Sequence, residues 1–517
     1  MNVYEKKWFP FVFIGMGLFL HLLAIGDYSI YILDEAKNAA AAMEMRQNKE
    51  WILPTFNGMP RYDKPPLHYY FFMLGYELFG VNALGARFFP ALAGWVCFTM
   101  VYLYTSSMYG KRAGFFAGLA LLASIHWVVQ FHLAVPDPFL ILFIFLSIIF
   151  YERFVSSSFK SKVCLRTSGL FLGLATLSKG PIALILVGFS VLVFMAIDRK
   201  PFWSHFKAIL DFKAIALFMT IVLPWYVLIG LKTEGLWLRE FVFHHNINRF
   251  SSAMEGHGGG FYLTFLFVLI GFFPASLVVY VALKRALLYR NLPTLIKLGS
   301  IFSIITLLFF MVSGTKLPNY TAPVYPFLAI IVGWYFANGQ VQRFKQPAYY
   351  SSLFIILLPL GLFIVSRNIE IKEIESLSFW FLIPALLGLA ALRIAYGNKW
   401  ELAWTVGNLG FVAFSIILLI QVFPAIDHKN PVLKAKSIWK DQPRIFHFES
   451  FNPAFVFNTN KRIPSVPNNF IHLKRGDLIL TNQKSLVNNE ELKLKTSLVF
   501  EGDDLFENTV TVILRVE

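Results

Sequence analysis

Six short stretches of this 517-residue chain concentrate ionisable side chains, most of them beside prolines, glycines or aromatic residues. Asp34, Glu35 and Lys37 come first. Acids in the first turn of a helix offset its macrodipole, and a carboxylate at a membrane surface can equally act as general base toward a hydroxyl. Position alone does not separate these readings. Next comes Arg61-Tyr62-Asp63-Lys64-Pro65-Pro66. The two prolines fix the backbone and bias Lys64 away from helix, so its cation is held at a defined height, with Arg61 near, where a phosphate would find it. A lysine that only snorkels to the interface needs no such restraint. His132 and Asp137 follow in HLAVPDP, and Lys179 in SKGP. The fifth stretch, EFVFHHNINRFSSAMEGHGGGFY, carries Glu240, His244, His245, Asn246, Arg249, Glu255 and His257. Its adjacent histidines read as a hydrogen-bonded or exposed pair or as metal ligands. The run from Gly256 to Gly260 reads as a loop, since no strand precedes it and no phosphate-binding lysine follows. Lys316 and Tyr320 close the set in SGTKLPNYTAP. Cations of this kind hold phosphate and the acids act on an acceptor, so the pattern points to phosphate-linked chemistry.

The elements that carry these residues are membrane helices. The chain is 57% hydrophobic and 15% charged, against roughly a quarter charged in soluble domains, and its mean hydropathy is +0.60. That composition excludes a soluble globular protein and a disordered one; 33 Gly and 25 Pro without a period exclude collagen. The net charge of +16 would suggest nucleic acid in a soluble chain, but here basic inner loops account for it and no nucleic-acid partner is expected. Of the two cysteines, Cys97 lies in an apolar run and Cys164 in a basic loop, which gives neither a disulfide framework nor a thiolate metal site.

A bilayer core of roughly 30 Å needs about 20 apolar residues per helix. The expected architecture is an α-helical polytopic membrane protein of about 13 spans, near 9–26, 85–108, 113–131, 138–152, 166–178, 181–197, 212–230, 261–282, 294–312, 321–338, 348–366, 378–394 and 402–421. The apolar stretch from Ser168 to Ile197 is too long for one crossing and is expected to fold back at Lys179-Gly180-Pro181. Basic loops, including Lys111 and Arg112, Arg153 to Arg166 and Arg199 to Lys213, fall on the side of Lys6. This predicts a cytoplasmic N-terminus on an uncleaved first span and an outer C-terminus. Residues 1–426 form the expected transmembrane domain, including an outer juxtamembrane loop at 27–84, in which Asp34 to Asn48 is helical and Leu67 to Phe79 lies in the interface. Residues 427–517 form a small extramembrane α/β domain, with strands near Asp477 to Thr481 and Thr509 to Val516. The distinctive ionisable residues sit at outer span ends rather than mid-span, which favours an enzyme at the membrane surface over a transporter.

The stretches LDEAKNAAAAMEM, WILPTFNGMPRYDKPPLHYY, VPDP, LSKGP, HHNINRF and SGTKLPNYTAPVYP resemble the GT-C class of membrane glycosyltransferases, in particular the aminoarabinose transferase of lipid A and the protein O-mannosyltransferases. The resemblance covers most of the chain. It implies a GT-C fold and transfer of a hexosyl or pentosyl group from a polyprenyl (undecaprenyl) phosphate donor to a lipid acceptor such as lipid A, at the periplasmic face of a bacterial inner membrane. The alternatives are transfer to a protein hydroxyl, as in the O-mannosyltransferases, and a lipid or sugar transporter. Matched motif by motif, Asp34 and Asp137 are catalytic candidates, Lys64, Arg249 and Lys179 bind the donor phosphate, and Asp63 with His244 corresponds to a divalent-metal position (Zn, Mg or Mn). Glu35, Arg61, Tyr62, His245, Lys316 and Tyr320 are further cavity candidates. Asp63 replaces a common Glu and Lys37 a common Arg, which keeps charge and changes reach. No nucleotide cofactor is implied, and no dinucleotide fingerprint is present.

Overall fold

The computed structural model describes residues 3–252, 258–288, 291–339, 341–368, 378–466, 473–506 and 508–517. Glu255 and His257 lie outside the described residues. The chain forms two compact units, one of Met1–Leu23, Tyr62–His68 and Phe89–Leu418, the other of Ala24–Arg61, Tyr69–Phe88 and Leu419–Glu517. The outer loop at 27–84, assigned from sequence to the transmembrane domain, thus contributes most of its residues to the unit that contains the C-terminal segment.

The first unit is helical. Among the described residues, eight helices in the chain are long and apolar enough to cross a membrane, or ten if two bent pairs each count as one span. Lys111–Leu122 and Ile125–Phe131 meet at 70°, Tyr262–Gly271 and Ser276–Leu288 at 113°. Thirteen crossings are not reached by this measure. Two of the expected spans are short apolar helices, Phe9–Leu22 and Ile182–Ile197; the 14 residues of the former rise about 21 Å at 1.5 Å each, less than a bilayer core. The expected fold-back is present: one helix ends at Lys179 and the next begins at Ile182.

Gly180 makes that turn possible. Its φ is +87°, and a Cβ there would stand 2.4 Å from the Phe241 ring. A side chain would be strained in backbone and blocked in space. Gly180→Ala is therefore expected to lower stability by about 1–3 kcal/mol, read as a lower midpoint in thermal unfolding of the detergent-solubilised chain.

In the second unit, the helix Leu33–Gln47 packs against the helix Ala454–Thr459. Its alanines at 36 and 39–42 are fully buried, because small side chains let the two backbones approach. A hairpin of β1 (Thr55–Phe56) and β2 (Met59–Pro60) lies against the same helix. Glu44 ties it down: its Oε2 accepts from Thr55 Oγ1 at 2.6 Å and Gly58 N at 3.1 Å. The C-terminal sheet runs in the order β3 (Ile445–His447), β4 (Leu478–Asn482), β6 (Val510–Val516), β5 (Thr496–Asp503). Only the β3–β4 pair is parallel. Ile479, Leu492, Val512 and Leu514 form its core. The expected strands near 477–481 and 509–516 are thus found within a residue of their expected ends.

Candidate functional site

Two of the ion-paired clusters in the first unit contain residues singled out in the sequence. In the segment Tyr62–His68, Lys64 is 8% exposed and its Nζ stands 3.4 Å from Asp63 Oδ2. Pro65 and Pro66 are buried after it, so the restraint read from sequence coincides with a cation withdrawn from solvent. Tyr62 is half-buried beside Asp63.

The second cluster centres on Asp137, which is 1% exposed in the first turn of the helix Asp137–Ser156. Its Oδ1 accepts from Lys179 Nζ at 2.6 Å and from Asn319 Nδ2 at 3.3 Å. Oδ2 is buried without a hydrogen-bond donor among the described residues. Lys179 Nζ also stands 5.2 Å from the centroid of the Tyr320 ring, which leans on Phe310 at 4.7 Å. Three stretches distant in sequence, VPDP, SKGP and PNYT, thereby meet around one carboxylate. Asn319 was passed over in the sequence although its neighbours were not; an amide within three residues of Lys316 was the available signal.

The HHNINRF segment forms a π-helix, Glu240–Asn248, a geometry often found at functional positions. His244 is exposed and His245 half-buried. His245 has Asp63 among the charges that act on it. Burial lowers its pKa, Asp63 opposes this, and His244, Lys64 and Arg249 lower it further. The ring is accordingly neutral at neutral pH. Arg249 is half-buried at the end of the π-helix. The chain beyond it is pinned to the SGTK turn by Gly314 N donating to Phe250 O at 2.6 Å and Thr315 Oγ1 donating to Ser252 O at 3.1 Å. A Cβ on Gly314 would lie 2.7 Å from the Ser252 backbone, so this approach requires glycine.

The expected metal position does not fit the geometry. Among the described residues no group of three or more His, Cys, Asp or Glu is placed to hold an ion, and the expected pair brings together an exposed His244 and an Asp63 that already faces the Lys64 ammonium.

Two further candidates serve the scaffold. Lys316 is 8% exposed and donates to Met311 O at 3.2 Å and Ser313 O at 2.5 Å. It satisfies carbonyls at the C-terminal end of the helix Thr294–Val312 instead of lining a cavity. His132 is likewise occupied, with its two ring nitrogens on Val128 O and Leu23 O.

In the second unit, Asp34 and Glu35 part company although adjacent. Glu35 is turned inward: Arg87 donates to both its carboxylate oxygens, at 2.7 and 2.8 Å, with each side chain 1% exposed. Glu35 is therefore a structural anchor and not a cavity residue. Asp34 is half exposed, and its Oδ1 is 3.6 Å from Arg61 Nη2. That guanidinium also donates to Asn38 Oδ1 at 3.0 Å; residues 34 and 38 share a helix face at i,i+4. Lys37 is half-buried. Asp34 remains the acid of the pair available to a reacting group.

A family model described as dolichyl-phosphate-mannose-protein mannosyltransferase matches residues 63–227, a range that includes Asp63, Lys64, Asp137 and Lys179. An uncharacterised protein of Aquifex aeolicus is 28% identical over 432 residues, which is 83% of this chain and 81% of that one. The undecaprenyl phosphate-alpha-4-amino-4-deoxy-L-arabinose arabinosyl transferase 2 of Pseudomonas fluorescens is 25% identical over 433 residues, 81% of this chain and 76% of that one. Among solved structures, ArnT from Cupriavidus metallidurans bound to undecaprenyl phosphate superposes with a TM-score of 0.81 at 18% identity, covering 98% of each chain. The archaeal oligosaccharyltransferase AglB from Archaeoglobus fulgidus, in complex with an inhibitory peptide and a dolichol-phosphate, reaches 0.51 at 12% identity over 90% of this chain and 65% of its own. These structural likenesses show the fold.

Proposed function

We propose, from its GT-C fold and its likeness to the relatives named above, that this chain transfers a sugar from a polyprenyl phosphate to a lipid acceptor, with a lipid-A-like saccharide lipid as the acceptor and the outer face of a bacterial inner membrane as the place. The observation that carries the reading is Lys64: a nearly buried cation, fixed by two prolines and faced by one carboxylate, within the range matched by a polyprenyl-phosphate-sugar transferase family. The named relatives that use undecaprenyl phosphate support the donor class.

The reaction is a displacement at the anomeric carbon. The acceptor oxygen forms a bond to that carbon as the bond to the lipid phosphate breaks, and the electron pair leaves on the phosphate, releasing polyprenyl phosphate. Lys64 and Arg249 stabilise the charge that gathers there. Preorganised charge of this kind is usually the largest single contribution to rate. Lys179, aligned by Asp137, Asn319 and Tyr320, holds a second cation in a fixed place. For a hydroxyl acceptor Asp34 takes the proton, with Arg61 aligning its carboxylate; a phosphate acceptor arrives as an anion and needs no base.

Asp34→Asn tests the base. In membranes supplied with labelled lipid-linked sugar, a hydroxyl acceptor gives a loss of about 10²–10⁴-fold in kcat with donor binding retained. Undiminished turnover removes Asp34 from the mechanism. Mass spectrometry of glycolipids and of envelope proteins from a deletion strain separates a lipid acceptor from a protein hydroxyl.

A further inference from the structure

The C-terminal segment of the second unit encloses a cavity of about 160 Å³ between residues 443–446 and a second strand of chain that includes Thr459 and Lys461–Pro464. The cavity exists because β3 is an edge strand whose partner on the open side is irregular. His447 N donates to Pro464 O at 2.9 Å and Val466 N to His447 O at 2.8 Å, which ties the two walls together at one end. From the β1–β2 hairpin, the Asn57 side chain pairs with the backbone of Ile463 in both directions, at 2.8 and 2.7 Å. That pairing fixes the second wall from the other side.

Three of the lining side chains are cations, Arg444, Lys461 and Arg462, and none is an acid. Two of them are held from outside the cavity. Arg444 pairs with the buried Asp477 at 3.0 Å, and Arg462 stands 3.8 Å from Glu44, itself 1% exposed. Lys461 is exposed, and no carboxylate pairs with it among the described residues. The wall thus carries one positive charge more than its flanking acids neutralise, on two guanidiniums anchored by buried carboxylates. A volume of about 160 Å³ is well above the roughly 10–15 Å³ that a single water needs, so a group larger than water is admitted. Two ion-paired arginines with an exposed lysine match a tetrahedral oxyanion, which takes several charge-assisted hydrogen bonds at once.

We propose that this cavity is an anion site that takes a phosphoryl group, separate from the Lys64 and Lys179 clusters and independent of the transfer reaction assigned above. The same chemistry is offered by inorganic phosphate and by a phosphorylated saccharide headgroup.

Calorimetric titration of the full detergent-solubilised chain with inorganic phosphate reads the site. Lys461→Glu is expected to weaken the Kd by about tenfold or more and Lys461→Gln by less, with unchanged circular dichroism, while Lys64→Ala leaves this component in place. Arg462→Gln weakens binding too, but it also releases Glu44, so the Lys461 pair carries the decision. Absence of saturable phosphate binding, or a Lys461→Glu variant that titrates like the unaltered chain, overturns the proposal. Micelles carrying a phosphorylated glycolipid, compared with the same lipid after phosphatase, identify the source. A Lys461-dependent preference for the phosphorylated lipid over free phosphate assigns the site to a headgroup; equal affinity at equal phosphate concentration assigns it to the soluble anion.

Discussion

Lys64→Ala is expected to lower the rate of sugar transfer from a polyprenyl phosphate by about 10²–10³-fold, the usual cost of removing one preorganised charge from a developing anion. The side chain is 8% exposed, so water restores little of the lost stabilisation, and the charge acts at a lower effective dielectric than on the surface. The substitution also removes the ammonium that stood 3.4 Å from Asp63 Oδ2, so the carboxylate faces an incoming phosphate with one cation fewer beside it. Repulsion then weakens donor binding, so KM rises as kcat falls. Lys64→Arg keeps the charge but needs more room in a buried, proline-bounded position, and is expected to recover only part of the activity. Asp63→Asn separates two roles for that carboxylate. If Asp63 only partners Lys64, the variant retains at least about a tenth of the activity and is insensitive to chelators, since a neutral amide does not repel phosphate. Loss as deep as that of Lys64→Ala, with chelator sensitivity in the parent, would reinstate Asp63 as a metal ligand. Transfer by Lys64→Ala at the parental rate would remove Lys64 from the donor site.

The parts of this protein that follow from local rules were legible in the sequence. The helical stretch from Asp34 announced itself by composition, and it runs from Leu33 to Gln47. The apolar segment Leu67–Phe79 is a helix with those bounds. The turn at Lys179-Gly180-Pro181 was readable because the apolar stretch around it is too long for one crossing and is broken there by Gly and Pro between basic flanks. Partnerships across the chain were not legible. Nothing local says that Glu35 belongs to Arg87, 52 residues on, while its neighbour Asp34 stays accessible. The one signal was Arg87 itself, an arginine near the start of an apolar helix, where an ionisable residue calls for a partner. Lys316 misled for the opposite reason: a cation at a helix end looks the same in sequence whether it reaches for a ligand or caps carbonyls. Residues 63–64, 137 and 179 were legible as candidates because proline and glycine fixed their backbones, yet Asn319, which has no charge to draw notice, was needed to complete the Asp137 cluster.

Arg87→Ala is expected to destabilise the second unit by about 3–5 kcal/mol, the cost of leaving one member of a buried ion pair alone. Both side chains are 1% exposed and the pair is bidentate. The same guanidinium donates to Tyr28 O and Ser29 O at 2.8 Å and to Ile25 O at 3.2 Å, and it lies 4.0 Å from the Tyr28 ring centroid. Alanine therefore takes a bidentate cation from the Glu35 carboxylate and a donor from each of three carbonyls. Glu35→Gln keeps an acceptor for Arg87 and removes only the charge, so its loss is smaller. The double variant Glu35→Leu/Arg87→Met strands no charge, and is expected to be more stable than Arg87→Ala although it still gives up the bonds to the carbonyls. Thermal unfolding of the detergent-solubilised chain, with limited proteolysis of the 24–61 segment, measures both. Transfer falls in Arg87→Ala as well, because Asp34 directly precedes Glu35. In a structural role that loss tracks stability and is partly restored in the double variant. If Arg87→Ala melts with the parent while transfer is lost, Glu35 and Arg87 belong to the reaction, and Asp34 is then not the only acid of its pair with a claim to the chemistry.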